Sequence, residues 1–350
     1  MTMLKQLSVT ILDRIKEHLF RLATLALISL VGAIQCPAQF YTVSGNQILD
    51  ANGQPYYIHS IGHTACEYSS SCGSRFAKSD IDNMAKWKPN TIRVPTNQDY
   101  LLPDSSCYNS TYLNTLDTIV ANANSDGMNV IFDLHWSDQG IAGTCATGQQ
   151  YMADSRSLTF WNTMANHYKT NPMVFFELYN EPHNISWDCW LNGCSPWVGM
   201  QQLYDTVRTA GYSNPVLIGG LNWAYDLSGV PTHRVIGVNI AYATHPYSNS
   251  GKQPSDWPTG FGFLTATDPV VATEFGDTAN CKTGSTTYVT AALNYFDAPE
   301  GNANNRMGWS SGATWNNAGN PCSLITDWTG DTPTAYGQPI HDRLASYSAP

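Results

Sequence analysis

Past residue 38, short apolar runs alternate with stretches whose apolar positions recur every three or four residues. The runs are Tyr56–Ile61, Thr91–Val94, Val130–Leu134, Met173–Leu178, Val216–Ile218, Val235–Ala243, Val270–Thr273 and Met307–Thr314. Their length and β-branched content predict buried strands. Between them the spacing predicts helices over Asp80–Trp87, with Ser79 as N-cap, and over Leu113–Ala123, Leu158–Tyr168, Val198–Ala210, Tyr288–Phe296 and Ile340–Tyr347. Leu113, Leu116, Ile119 and Val120 share one face of the second. Helices after the fifth and sixth runs are poorly marked. Phe40–Leu49, followed by a turn at residues 50–53, predicts a small hairpin. Strand–helix alternation implies a parallel sheet with crossover helices. Eight strands fit an α/β chain folded as a (β/α)8 TIM barrel with a short N-terminal β-hairpin. A doubly wound open sheet is the alternative, but its dinucleotide glycine fingerprint is missing. No linker divides residues 39–350, which are expected to form a single catalytic domain.

Residues 1–38 have a different pattern. Leu22–Ile34 is uncharged and mostly apolar, Arg14, Lys16 and Arg21 precede it, and small residues follow. This layout predicts a secretory signal peptide, too short in its apolar run for a comfortable membrane span. An extracellular protein with no membrane attachment after cleavage is expected. Cysteine usage agrees. Beyond Cys36 there are eight: 66, 72, 107, 145, 189, 194, 281 and 322. An even number in an exported chain suggests disulfides, with on the order of a hundred pairings open. Cys66/Cys72 and Cys189/Cys194 are close enough to staple single loops. No C-x-x-C spacing or histidine cluster suggests zinc.

Composition narrows the function. The chain of 350 residues has 17 Lys and Arg against 27 Asp and Glu, a net charge of −10, and only 13% charged residues. Without a basic run it is a poor nucleic-acid binder. Its 11 Trp, 19 Tyr and 11 Phe argue against disorder and hint at a surface of flat rings.

In a barrel, chemistry sits just past the strand ends. There the sequence places Arg93, Asp133 with His135 and Trp136, Asn180 with Glu181, His245 with Tyr247, Glu274, and Trp309 or Trp315. Two glutamates on the fourth and seventh strands suit sugar cleavage, which needs one carboxyl to protonate the leaving oxygen and one carboxylate to meet the developing oxocarbenium ion. Different surroundings must keep one protonated and the other ionised. Arg93 and Tyr247 are positioned to hold Glu274 as the anion, and tryptophan rings offer floors for sugar faces. The roles of Asn97, Trp136, Glu67 and His183 stay open between packing and substrate contact.

Phe175–Pro182 (FFELYNEP) resembles the fourth-strand acid/base signature of glycoside hydrolase family 5, the cellulase and mannanase family. His245-Pro-Tyr247 is similar to its sixth-strand element and Val271–Gly276 (VATEFG) to its seventh-strand nucleophile. Ile92–Pro95 and Asp133–Trp136 match the second and third strands. The resemblance implies a retaining mechanism with Glu274 as nucleophile and Glu181 as acid/base. It implies that Tyr247 bonds Glu274, that Arg93 supports its ionisation, that His135 and Asn180 hold sugar hydroxyls, and that His245 tunes Glu181. One tryptophan should line the cleavage subsite, Trp315 in preference to Trp309, with Trp136 nearby. On the barrel's loops Cys107 and Cys145 would pair, as would Cys281 and Cys322, beside 66–72 and 189–194. The expected activity is endo-β-1,4-glucan hydrolysis by a monomer, with no cofactor and no metal. A β-mannanase, an exo-acting β-glycosidase and a non-catalytic carbohydrate-binding barrel are the alternatives.

Overall fold

The computed structural model describes residues 40–137, 145, 150–277, 279–313, 315 and 320–347. The proposed leader at 1–38 lies outside them. Thr42–Ser44 (β1) and Gln47–Leu49 (β2) form an antiparallel hairpin. The barrel strands are His59–Gly62 (β3), Thr91–Asn97 (β4), Asn129–Trp136 (β5), Val174–Glu177 (β6), Val216–Gly219 (β7), Ile240–Ala243 (β8), Val270–Ala272 (β9) and Gly308–Ala313 (β10). They pair in parallel in chain order, and β10 closes on β3, so the sheet has no edge.

Two apolar layers follow from the two-residue period of a strand. Ile92, Val94, Phe132, Phe176, Ile218 and Ala272 face outward into the large core shared with the helices. Ile131, Phe175, Leu217, Ala241, Ala243 and Val271 face inward and fill the lower barrel with Ile48 and Ile58. The hairpin caps that end. Tyr41 packs on Phe175 at 4.9 Å between centroids, and Asn129 Nδ2 donates to the Tyr41 and Tyr56 hydroxyls at 3.0 and 2.7 Å.

The predicted helices appear at Lys78–Ala85, Tyr112–Ser125, Ser155–Tyr168, Met200–Thr209, Thr287–Asp297 and Gln338–Tyr347. None of the described helices is long and apolar enough to cross a membrane. Four local expectations are corrected. The hairpin turns at Gly45 and Asn46, and the turn at 50–53 instead leads back to a single bridge between Leu49 and Pro55. Ser79 lies inside its helix, since the Ala77 carbonyl already accepts from Asp80 and Ile81. The sixth strand begins only at Ile240, because Gly237 and Asn239 have φ of 158° and 55°. No helix joins β7 to β8; turns carry the chain through residues 220–239.

All four expected disulfides form: Cys66–Cys72, Cys107–Cys145, Cys189–Cys194 and Cys281–Cys322.

Candidate active site

The inward layer changes character two residues further along each strand. Above Ile131 stand Asp133 and then His135. Above Phe175 stands Glu177, above Val271 stands Thr273, and above Ala243 stands His245. The strand period alone therefore stacks a polar tier on the apolar plug.

Arg93 of β4 is the hub of that tier and is 1% exposed. Its Nη1 donates to Glu274 Oε1 at 2.6 Å, its Nε to Glu177 Oε2 at 2.7 Å and its Nη2 to Asn180 Oδ1 at 2.7 Å. Nη2 also lies 3.0 Å from Asp133 Oδ2. A single guanidinium thus faces three carboxylates, which its planar fork of five donors permits. Tyr247 donates its hydroxyl to Glu274 Oε2 at 2.5 Å. Burial alone would push the Glu274 carboxyl up. The charge of Arg93, then His245 and His135, and the Tyr247 bond overcome it and hold Glu274 at about 2. Tyr247 is itself placed by a parallel bridge to Gly276, and its hydroxyl passes Gly312 so closely that a Cβ there would sit 2.7 Å away.

The second carboxyl, Glu181, follows β6. Its Oε1 lies 2.9 Å from His245 Nδ1. On the other side of that ring, Thr273 donates its hydroxyl to Glu177 Oε1 at 2.6 Å, so its lone pair accepts from His245 Nε2 at 2.9 Å. Burial disfavours charge on His245, but Glu274, Glu177 and Glu181 raise it to about 9. Burial likewise opposes charge on His135, and the Asp133 carboxylate 2.8 Å from its Nδ1 is the main group that lifts it to about 9. Both rings are imidazolium at neutral pH. One ligand atom each of Glu181, His245 and Glu274 lie within 4.8 Å of one another. The two carboxylates are therefore close enough for one sugar carbon to meet both.

The sequence pattern of the family described as Cellulase (glycosyl hydrolase family 5) matches residues 49–318. The chain belongs to that family. An endoglucanase of Paenibacillus polymyxa is 23% identical over 89% of this chain and 87% of its own length. Endoglucanase E-5 of Thermobifida fusca is 23% identical over 87% of this chain; the match spans 63% of that relative, less than two thirds of its length. Among solved structures, a beta-glucanase from Saccharophagus degradans superposes with a TM-score of 0.71 at 23% identity, covering 89% of this chain and 94% of that one. The catalytic domain of the major endoglucanase from Xanthomonas campestris gives 0.67 at 19% identity, over 88% and 100%. Both structures have the same barrel.

The family 5 barrel brings Arg93, Asn180, Glu181, His245, Tyr247, Glu274 and His135 to one end. Of the expected tryptophans, Trp136 stands at that end beside His135, but Trp309 and Trp315 offer it no open face. Trp309 and Trp315 are both fully buried. Trp309 packs on Phe275 and points its Nε1 at the Tyr347 hydroxyl at 3.3 Å, as a side chain on the helix side of β10 must. Trp315 packs edge-on against Trp87 at 5.1 Å. Neither has a face for a sugar, so both readings are corrected. Trp136 is 5% exposed and lies under Tyr68. Open rings are instead Tyr68 and Trp223, 59% and 41% exposed, with Tyr151 also exposed beside His183. Trp223 stacks on His183 at 3.5 Å, held by three successive residues of positive φ, Asn222–Ala224. Asn97 caps the short helix after β4, accepting from Asp99 N at 2.9 Å. Glu67 is fully buried, and burial raises its carboxyl to about 7.

Glu177 and Thr273 join Asp133 in the site without having been singled out by the strand ends. The signal that finds them is a charge or hydroxyl at an inward position of an otherwise apolar strand. For a metal, the Glu181, His245 and Glu274 trio is one grouping with suitable donors among the described residues, and His245 would have to give up its proton to bind one. The other, Asp99 with Cys107 and Cys145, has both sulfurs in a disulfide.

Proposed function

We propose that this family 5 enzyme is an exported, monomeric endo-β-1,4-glucanase that works by double displacement, with Glu274 as nucleophile and Glu181 as acid/base. The observation that carries this is the approach of the Glu181 and Glu274 oxygens to within 4.8 Å, one of the two held ionised by Arg93 and Tyr247. That spacing suits the retaining arrangement, about 5–5.5 Å, and leaves no room for the water of an inverting pair at about 6.5–9.5 Å.

In the first step a Glu274 oxygen attacks the anomeric carbon. The glycosidic C–O bond breaks, its electron pair goes to the leaving oxygen, and that oxygen takes the Glu181 proton. In the second step Glu181 accepts a proton from water while the water oxygen attacks the same carbon. The ester bond to Glu274 breaks and the carboxylate is restored. Arg93 and Tyr247 neutralise Glu274 whenever it carries charge, without moving to do so. His245 keeps a donor 2.9 Å from Glu181 Oε1 and orients that carboxyl. Asn180 accepts from Arg93 through Oδ1, which leaves its buried Nδ2 without a partner. A sugar hydroxyl supplies one. The glucan and endo assignments draw on the names of the relatives. Export draws on the leader pattern and the four disulfides.

The test offers purified enzyme mixed-linkage glucan, carboxymethylcellulose, xyloglucan and galactomannan, following viscosity, reducing ends and the anomer first released. Fast viscosity loss on the glucans with release of the β-anomer is expected. Glu274→Gln and Glu181→Gln each lose on the order of a thousandfold or more in kcat. Undiminished activity in either variant removes the mechanism, and activity on galactomannan alone replaces glucan by mannan.

A further inference from the structure

Beside the carboxylate tier, past the end of β3, a hollow of about 490 Å³ opens between the Cys66–Cys72 loop and Trp328. Its walls carry Tyr68, Ser69, Ser71, Arg75 and Trp328, with His63 at its base. Tyr68 joins it to the reaction centre, since the hydroxyl lies within the field of the Glu274 carboxylate and the ring stands edge-on to Trp136 at 4.6 Å. Through Tyr68 the hollow is linked to the Glu274 side of the cleft. A sugar in it belongs to the half of the chain that stays on the enzyme after the first bond breaks.

The hollow holds one cation and no lining carboxylate to pair it. The Arg75 guanidinium lies over the Trp328 ring, 4.6 Å from its centroid, and makes no hydrogen bond or ion pair with another described residue. Asp80 is near enough to feel its charge but forms no ion pair with it. His63 adds no charge. Its Nε2 bonds the Arg75 carbonyl oxygen at 2.8 Å, and burial lowers the ring to about 4. Among the described residues lining the hollow there is no carboxylate. A neutral glucose presents donors and acceptors alike, whereas a guanidinium offers donors only, in a fork that fits a carboxylate bidentately. A cation lying over a tryptophan ring in a hydroxyl-lined hollow without a carboxylate favours an anion.

We propose that this hollow is a donor-side subsite for a carboxylate-bearing sugar on the glucan chain, with Arg75 pairing the carboxylate and Trp328 holding the guanidinium in place. The proposal rests on the glucanase reading above. Its test compares mixed-linkage glucan with the same polymer in which a fraction of the C6 alcohols has been oxidised to carboxylates. Wild type, Arg75→Gln, Arg75→Lys and Lys88→Gln are assayed, the last removing an equal charge from the far end of the barrel. The ratio of kcat/KM on oxidised to neutral polymer is expected to fall about tenfold in Arg75→Gln and less in Arg75→Lys, and to hold in Lys88→Gln. High salt should shrink the wild-type ratio. Equal loss on both polymers in Arg75→Gln, or the same ratio as in Lys88→Gln, overturns the subsite. If wild type cleaves neither polymer, the glucanase reading has failed. The subsite is then read by titration calorimetry with a glucuronate-ended oligosaccharide, where binding that survives Arg75→Gln overturns it and binding lost in that variant supports it.

Discussion

Tyr247→Phe isolates one of the two supports of the proposed nucleophile. The ring stays, wedged over Gly312 and Gly276, while the 2.5 Å bond to Glu274 Oε2 goes. A charge-assisted bond of this kind contributes about 1.5–3 kcal/mol. The hydroxyl remains a donor throughout, because burial and the Glu274 charge push its own ionisation well above the usual tyrosine range. At about 1.36 kcal/mol per pH unit, its loss moves the Glu274 ionisation up from about 2 by about one to two pH units. Arg93 still holds Oε1 at 2.6 Å, so Glu274 stays ionised at neutral pH. The neutral-pH cost is therefore one of lost transition-state support, about 10- to 100-fold in kcat/KM. The assay is kcat/KM on a soluble glucan from about pH 3 upward, with circular dichroism at each acid point to separate titration from unfolding. An acid limb that does not move in Tyr247→Phe, whatever happens at pH 7, would refute the claim that the hydroxyl holds the carboxylate.

Three further outcomes are expected. Thr273→Val takes away the hydroxyl between Glu177 and His245, and the remaining 3.5 Å gap is too long for a good direct bond. His245 then drops from about 9, so the alkaline limb of kcat moves to lower pH while KM changes little; an unmoved limb contradicts the relay. Stability to denaturant should plateau between the ordinary carboxylate and imidazole values. Glu274, depressed from 4.5 to about 2, contributes fully above pH 4.5 and loses its contribution as pH falls through about 2. His135 and His245, raised from 6.5 to about 9, contribute fully below pH 6.5 and lose theirs as pH rises through about 9, so a midpoint constant up to pH 9 opposes this account. The double variant Cys107→Ser/Cys145→Ser opens a crosslink spanning 38 residues and should cost up to about 4 kcal/mol by calorimetry.

Much of this molecule was legible along the chain because barrel strands are short apolar runs and their polar successors fall at one end. All eight strands lie where the runs predict them. What misled was local. Val235–Ala243 reads as one strand by composition, yet Ile236 and Val238 are 74% and 71% exposed, since positive φ at Gly237 and Asn239 breaks the extended path. Trp309 and Trp315 were placed at the mouth by proximity in sequence. Face, not proximity, decides, and Trp309 alternates with inward-facing positions and so turns to the helices. Tyr68 and Trp223 carry no comparable signal, because each is displayed by irregular backbone, one in a disulfide loop and one in a left-handed turn. The inward tier of Asp133, Glu177 and Thr273 was readable from the same period that found the strands.

That tier also explains how two similar carboxyls come to have different tasks. Arg93, His135 and His245 face Glu177 and Glu274, both held below the ordinary carboxylate range, and Asp133, which burial pushes up against the pull of Arg93 and His135. Each of these six is buried, and an unpaired buried charge is strongly destabilising. Pairing is therefore a condition of the fold as much as of the chemistry, and the Arg93 guanidinium fixes Glu274 as an anion. Glu181 stands at the edge of that network. Its side chain is 12% exposed, against 8% for Glu274 and none for Asp133 and Glu177, and it meets an imidazole where Glu274 meets a guanidinium. A group that must give up a proton and regain it in each cycle belongs at the edge of such a network, within reach of water. The two glutamates are divided by depth and partner, and both follow from where β6 and β9 end.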